Sequence, residues 1–187
     1  EQGWEVAIEI FKDRIAGRFL TPINLFLDYS WSGFAVLALD ALLVETLQQF
    51  WEGQPNTPKG KGITYFKRLL CGPLFPPRAR GFNPTTARLF YTTVRSSIVH
   101  QAQVTGSSRV RRDVPLVQLN VEKHAGPKRQ LRARGITINP VTFHRAVEQA
   151  FDRYVALLRD PTQVERRANF RKKMDFIATE RRDDVQG

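Results

Sequence analysis

Arg95 and His100 are the two side chains of this sequence best suited to act on a phosphodiester bond, and they lie five positions apart in the stretch FYTTVRSSIVHQAQ. An arginine carries a permanent charge on a planar group that fits phosphate oxygens, and a histidine gains and loses a proton near neutral pH. The imidazole could move a proton at an attacking 2′-hydroxyl or a leaving oxygen while the guanidinium stabilises charge on the phosphorus oxygens. The pair therefore predicts phosphodiester cleavage without a metal ion.

Both residues lie near the end of a predicted helix. Asn83 and Pro84 form a preferred helix start, and the apolar residues that follow have helical spacing: Ala87, Phe90, Tyr91, Val94, Ile98 and Val99. Five residues of α-helix give a rise of about 7.5 Å and a rotation of about 140°, so the two side chains do not share one helical face. They can meet at one phosphate only if the helix ends or unwinds before His100, or if a second subunit completes the site. Gly106 and Ser107 indicate a helix end close to His100.

Helical spacing recurs along the rest of the chain and predicts a mainly α fold. We expect helices over residues 2–19 and 34–51, a short helical stretch over residues 63–70, and two more helices that start at Asn139-Pro140 and at Asp160-Pro161. The stretch TPINLFLDYSWSG, residues 21–33, is predicted to be a connecting loop with embedded aromatic residues. The expected architecture is a helical bundle of four to five helices.

Residues 107–138 contain short β-branched runs joined by the sequence VEKHAGPK, and they predict a small inserted β-hairpin. Basic side chains that could guide an RNA backbone are concentrated there: Arg109, Arg111, Arg112, Lys128, Arg129, Arg132 and Arg134. Few aromatic residues lie among them, so base stacking is not indicated. A solvated basic face, or a docking surface for an acidic antitoxin, is the alternative interpretation.

The charge of the chain favours a polyanionic partner. The net charge is +11, and residues 78–135 contain 12 lysines and arginines against 2 acidic residues. Such a field attracts nucleic acid, most simply RNA. The length of 187 residues suits one domain. Within it, residues 1–106 would form the helical core with Arg95 and His100, residues 107–138 the basic hairpin, and residues 139–187 the C-terminal helices.

Several other classes of protein lack support in the sequence. Cys71 is the only cysteine, so no intrachain disulfide can form, and the three histidines have no zinc-binding spacing. No glycine-rich phosphate loop follows a strand, and we expect neither a metal nor a cofactor. The longest apolar run, GFAVLALDALLVETL, is interrupted by Asp40 and Glu45, so we expect no membrane span. The N-terminal residues lack the pattern of a signal peptide, and a cytoplasmic location is expected. Because the sequence opens with Glu1, we also expect a longer natural N-terminus.

An arginine followed after four residues by a histidine, at the end of a helix in a helical bundle, resembles the Arg-x(4 to 6)-His motif of the HEPN superfamily. The stretches GRFLTPINLFL, GFAVLALDALLVETLQQFWEG and FYTTVRSSIVHQAQVTG are similar to bacterial HEPN-type proteins, over residues 8–106. The resemblance implies a HEPN-like helical bundle that forms a homodimer. In such a dimer, two copies of the motif face one another and form a metal-independent endoribonuclease site.

By this resemblance Arg95 and His100 would be the catalytic pair, in a toxin-antitoxin, phage-defence or related context with an antitoxin or defence-complex protein as possible partner. Ser96 stands where the family often has Asn, Asp or His, and it can still support the site by hydrogen bonding. One branch of the family carries a tyrosine two residues after the histidine, where this chain has Ala102, so the regulation of that branch is not assigned. Other members only bind RNA or protein, which makes a noncatalytic binding module or a structural subunit of a defence complex the alternatives.

Glu45 is a carboxylate within the apolar run ALLVETL, so it must be exposed, neutralised or paired. It either accepts the guanidinium of Arg95 and fixes the orientation of that group, or lies on an exposed strip of its helix. The sequence leaves both interpretations open.

Overall fold

The computed structural model describes residues 2–76, 81–123 and 131–183. In these ranges the protein is mainly helical, with six helices and one small three-stranded sheet. The mainly α fold expected from the sequence is therefore confirmed. The structure has one helix more than the upper end of the expected four to five. The difference arises because the short helix over residues 62–70 is a full member of the core.

The first helix is longer than predicted. It consists of α1 (Gln2–Ile15), a π-helical segment (Ala16–Leu20) and α2 (Thr21–Phe26). The prediction of a loop over residues 21–33 was wrong for α2, because Pro22 lies in the first turn of α2, where its missing N–H is tolerated. The N–H of Thr21 donates to the carbonyl of Ala16, five residues back. Through this widened turn the helix continues from α1 to Pro22 and α2 without a break.

The central helix α3 (Gly33–Glu52) and the shorter α4 (Gly62–Leu70) follow. Within the described residues α3 is the one helix long and apolar enough to span a membrane, but more than half of it is buried inside the protein. That burial is compatible with the core helix of a soluble protein. Gly53 ends α3 in the left-handed conformation, with a φ of 63° that favours glycine.

The helix that carries Arg95 and His100 has three parts: α5 (Pro84–Leu89), a π-helical segment (Phe90–Arg95) and α6 (Ser96–Gln101). We call these three parts together the motif helix. It starts as predicted, since the Asn83 side chain accepts the N–H groups of Thr85 and Thr86. The interruption by a π-helical segment was not predicted.

A three-stranded sheet follows the motif helix, with the strand order β1, β3, β2. The antiparallel pair β2 (Val117–Lys123) and β3 (Leu131–Ile138) confirms the predicted hairpin. Its first strand begins ten residues later than the predicted segment, and the short β1 (Arg109–Val110) pairs with β3 in parallel. The predicted turn of the hairpin lies outside the described residues.

The last two helices are α7 (Pro140–Arg159) and α8 (Val164–Asp183). Helix α7 starts where predicted, whereas α8 starts three residues after Pro161. The Asp160 carboxylate accepts the N–H of Thr162 at 2.9 Å and forms a turn before the helix, which explains the later start. Helices that precede and follow the sheet along the chain contribute residues to the main hydrophobic core, in which Phe11, Phe50, Tyr154 and Phe170 pack together.

Asn139 joins the sheet region to α7 through four hydrogen bonds of its side chain. The amide oxygen accepts the N–H groups of Val141 and Thr142 at the start of α7, at 3.0 and 3.3 Å. The amide nitrogen donates to the carbonyls of Arg112 and Val114, each at 2.8 Å. All four bonds are made by a residue that is itself buried.

We expect Asn139→Ala to lower the free energy of unfolding by about 2 kcal/mol, because it removes a helix cap and the hydrogen bonds to the carbonyls of Arg112 and Val114. Asn139→Asp is the matched control, because its carboxylate keeps the cap but cannot donate to Arg112 and Val114. Urea unfolding of the three proteins measures both contributions. A stability of Asn139→Ala equal to that of the unmodified protein would contradict this role.

Candidate functional site

Arg95 and Glu45 form an ion pair between the motif helix and α3. Nη2 of Arg95 donates to Oε2 of Glu45 at 3.0 Å. The side chains are 20% and 17% exposed, so the pair lies at the protein surface but is largely shielded from water. Of the two interpretations of Glu45, the structure selects the one in which it accepts the Arg95 guanidinium and orients it.

Glu45 does not satisfy every N–H group of the Arg95 guanidinium. Its Nε–H is buried and has no hydrogen-bond partner among the described residues. The group also lies over the ring of Tyr91, with its Cζ 5.4 Å from the ring centroid. An arginine has five N–H donors in a fixed plane. Glu45 therefore pairs with one N–H of the group, and an anionic oxygen would reach the group only through the 20% of the side chain that is exposed.

The π-helical segment explains how Arg95 reaches this position. The hydroxyls of Thr92 and Thr93 donate to the carbonyls of Arg88 and Leu89, at 3.0 and 2.8 Å. Such bonds compete with the backbone N–H groups and distort a helix. The N–H of Ser96 then donates to the carbonyl of Tyr91, five residues back. The widened turn ends at Arg95, and π-helical turns of this kind are frequent at functional sites.

His100 is exposed near the C-terminal end of α6. Within the described part of the chain its imidazole makes no hydrogen bond and no ion pair. The helix ends one residue later, because Ala102 adopts the left-handed conformation with a φ of 54° and donates its N–H to the carbonyl of Ile98. The predicted helix end close to His100 is therefore confirmed, and the imidazole is free to contact a ligand or a second subunit.

Arg95 and His100 do not converge within one chain. Residues 96–101 are regular α-helix, so the rotation of about 140° and the rise of about 7.5 Å between the two positions apply. Arg95 faces α3 through Glu45, whereas His100 is exposed. Arg95 and His100 could form one site if the helix ended or unwound before His100, but in this structure the helix continues to Gln101. The alternative that remains is a site completed by a second subunit.

Exposed apolar side chains flank the ion pair on both helices. Val99 lies four residues after Arg95 and Leu42 three residues before Glu45, so each shares a helix face with one member of the pair. Both are exposed. The surface around Arg95 is therefore partly apolar, as a surface that contacts another protein chain would be.

Four hydroxyl groups that the sequence analysis did not single out fix the motif helix against the loop and sheet that follow. The hydroxyls of Ser97 and Thr105 lie 2.7 Å apart, as do those of Thr93 and Ser108. The Ser108 hydroxyl also accepts the N–H of Ile136 in β3 at 3.1 Å. Ser96, the predicted supporting residue, is half-buried and takes no part in this network.

The seven basic residues predicted to contact RNA have different surroundings. Arg111 forms an exposed ion pair with Asp113, and Arg134 one with Glu122 at 3.1 Å. Arg109 is exposed and donates to the carbonyl of Ser108 at 3.0 Å. Lys128 and Arg129 lie outside the described residues, and of Arg132 only the backbone, paired with Glu122 in the sheet, is described.

Arg112 has a structural contact that the sequence analysis did not anticipate. Its Nη2 donates to the carbonyls of Leu27 and Tyr29, at 2.7 and 2.6 Å, and lies 3.2 Å from the hydroxyl of Ser32. These acceptors belong to the loop between α2 and α3. Backbone carbonyls carry no signature in a sequence, so no pattern in the chain could have indicated this contact.

No group of three or more potential metal ligands is found within the described ranges. A comparison of the chain with protein-family models, with curated proteins and with solved structures finds no match. The candidate site therefore consists of Arg95, Glu45 and His100, and its function must be argued from their geometry and chemistry.

Proposed function

We propose that the protein is a metal-independent endoribonuclease of the HEPN type, with a HEPN-like fold and Arg95 and His100 as its catalytic residues. The observation that carries the proposal is the Arg95 guanidinium, which Glu45 holds at the surface of the motif helix while an exposed His100 stands on the same helix. The net charge of +11 supports an RNA substrate.

The proposed reaction is attack of an RNA 2′-hydroxyl on the adjacent phosphorus. His100 removes the proton from the 2′-hydroxyl or gives one to the leaving 5′-oxygen as the new bond to phosphorus forms and the old bond breaks. Arg95 stabilises the negative charge that builds on the other phosphorus oxygens. The products are a 2′,3′-cyclic phosphate and a 5′-hydroxyl. Glu45 is a positioning residue, because it contacts Arg95 and not the substrate.

A homodimer supplies the second residue of each site in this proposal. Because Arg95 and His100 of one chain lie on different faces, Arg95 acts with His100 of the partner subunit. The exposed Val99 and Leu42 beside the ion pair offer apolar surface for the contact between the two chains. A two-fold axis through this surface would create two equivalent sites.

The biological setting is proposed from the resemblance described above. A ribonuclease of this type fits a cytoplasmic toxin or phage-defence protein, held inactive by an antitoxin or another protein of a defence complex. The basic segment around the sheet offers a surface for such an acidic partner or for RNA.

The alternative function is a noncatalytic RNA- or protein-binding module. It is favoured by the same ion pair, because Glu45 neutralises Arg95, and by the separation of Arg95 from His100 within one chain. Such a module would bind RNA with strong salt dependence and give no product. Replacement of His100 by alanine would then change RNA binding no more than replacement of another exposed residue.

The test is incubation of the purified protein with a mixed RNA substrate in EDTA, with His100→Ala in parallel. We expect fragments with 2′,3′-cyclic phosphate ends from the unmodified protein and at least a hundredfold slower cleavage by the variant. Circular dichroism checks that the variant is folded. RNA binding without cleavage at any protein concentration would favour the binding module instead.

A further inference from the structure

The loop between α2 and α3 exposes two aromatic side chains. In this loop, residues 27–32, which we call the aromatic loop, Trp31 is 95% exposed and Tyr29 is 70% exposed. Neither ring contacts another aromatic ring or a cation within the described residues. Leu25, at the end of α2, adds exposed apolar surface beside them. Two large exposed rings within one six-residue loop offer apolar surface that a ligand could cover.

Hydrogen bonds hold the aromatic loop in one conformation. The N–H and the hydroxyl of Ser32 both donate to the carbonyl of Tyr29, at 3.1 and 2.8 Å. Arg112 donates to the same carbonyl and to that of Leu27. The two rings are therefore carried on a rigid support, which lowers the entropy cost of binding a ligand to them.

The same contacts bring the side chains of Arg112 and of Val110 in β1 next to the aromatic loop. Arg112 reaches the loop directly, and Val110 lies so close to Gly33 that a Cβ built there would be 2.9 Å from the Val110 Cγ1. Arg109 and Arg111 flank Val110 and are exposed. The segment of residues 109–113 carries three arginines and one aspartate, and the loop adds Asp28; of the arginines, Arg112 is bonded to the loop carbonyls and Arg111 is paired with Asp113. The exposed pair of Arg111 with Asp113 is weak in water and can exchange for a phosphate.

We propose that the aromatic loop binds unpaired bases of an RNA strand, which stack on Trp31 and Tyr29 while Arg109 and Arg111 contact the phosphates. Exposed aromatic rings beside cations are what proteins that bind single-stranded nucleic acid use, since every base has a face that stacks. In a duplex these faces are already stacked on neighbouring bases. Few aromatic residues lie among the basic ones in the sequence, because the loop that carries Trp31 and Tyr29 meets Arg112 only through the fold.

This inference deepens the proposed function, on which its role in cleavage rests, by naming single-stranded RNA as the substrate. Gly33 and Glu45 are twelve residues apart on α3, so the aromatic loop lies about 18 Å along the helix from the Arg95 ion pair. A bound strand must extend over that distance to be cut. The loop then contributes to RNA affinity and not to the chemical step.

A second protein chain is the competing occupant of this surface. The charge of the surrounding residues argues for RNA, because a net positive surface suits phosphate groups. A protein contact predicts a change in oligomeric state when the aromatic residues are removed. An RNA contact predicts no such change.

The test measures binding of a fluorescently labelled oligoadenylate, single-stranded or paired with oligouridylate, to the His100→Ala protein, which is not expected to cut it. We expect Trp31→Ala in this background to raise the Kd for the single strand about tenfold, with little change for the duplex. Trp31→Phe keeps a ring and should retain most of the affinity. Val164→Ala is the matched control, because Val164 is an exposed apolar residue on α8, away from this loop.

Equal Kd values for Trp31→Ala and its parent would overturn the inference, as would loss of a dimer in light scattering of Trp31→Ala without RNA. Cleavage kinetics of proteins that retain His100 test the stacking site and the proposed ribonuclease activity separately. Cleavage with an unchanged KM in Trp31→Ala would overturn the stacking site and leave the ribonuclease intact. Binding through Trp31 without any cleavage would overturn the ribonuclease and leave the stacking site intact.

Discussion

A heterodimer of one Arg95→Ala subunit and one His100→Ala subunit is expected to cleave RNA at about half the rate of the unmodified dimer, although each homodimeric variant loses at least about a hundredfold. In the heterodimer, one site combines the intact Arg95 of the His100→Ala subunit with the intact His100 of the Arg95→Ala subunit. The second site has neither residue. This recovery is expected only if each site draws its two residues from different chains.

The experiment uses co-expression of the two variants with different affinity tags, followed by purification on both tags in turn. The cleavage rate in EDTA is compared with that of the unmodified dimer carrying the same two tags. Homodimers of each variant, purified in the same way, give the background. An inactive heterodimer would show that Arg95 and His100 of one site do not come from different subunits. It would therefore contradict the proposal that a second subunit completes the site.

The helix starts were predictable because their causes are local. Asn83 and Asn139 cap the helices that follow with their own side chains, and both precede a proline that fits the first turn. Asp160 also precedes a proline, but its carboxylate accepts the N–H of Thr162 and forms a turn, so α8 starts later. Local patterns thus define where a helix can start, and the surrounding packing decides whether it does.

The π-helical segments and the contacts of the candidate site could not be derived from local patterns. The pairing of Glu45 with Arg95 joins residues fifty positions apart, so the sequence could only offer it as one of two interpretations. The role of Arg112 depends on backbone carbonyls that the fold brings to it. The exposure of Trp31 has the same origin, since it depends on which elements pack around the loop and not on the residues next to Trp31 in the sequence.

The buried pair of Asp40 and His144 gives the largest expected effect on stability. Oδ1 of Asp40 and Nδ1 of His144 lie 2.9 Å apart between α3 and α7, and both side chains are fully buried. Nε2 of His144 lies 3.4 Å from Oε1 of Glu148, which in turn accepts Asn24 and Arg145. We expect Asp40→Ala to lower the free energy of unfolding by about 3–5 kcal/mol, because it leaves a buried imidazole without its partner.

The pH dependence of stability distinguishes the charge of Asp40 from its packing. Burial raises the pKa of Asp40 from its ordinary value of 3.8 to about 6, although the hydrogen bond and charge of His144 lower it and the charge of Glu148 adds to the rise. The folded protein therefore binds this proton more tightly than the unfolded chain. The resulting stabilisation is complete below pH 3.8 and is lost as the pH rises through about 6.

Asp40→Asn is the matched variant, because its amide can accept from His144 at Nδ1 but cannot ionise. Urea unfolding of both proteins across the range from pH 3.8 to above 6 is the measurement, and the difference in unfolding free energy is the readout. We expect the unmodified protein to lose stability relative to Asp40→Asn as the pH rises through this range. Glu9 and Glu52, whose pKa values are lowered, act on both proteins alike and cancel in the difference.

A difference that stays constant with pH would contradict the assignment of the raised pKa to Asp40. The Asp40→Ala protein adds a second criterion, because it removes the hydrogen bond as well as the charge. We expect Asp40→Ala to be less stable than Asp40→Asn at every pH, since only the amide can still form a hydrogen bond with the His144 ring. Equal stability of the two variants would mean that the contact between Asp40 and His144 contributes nothing to the packing of α3 against α7.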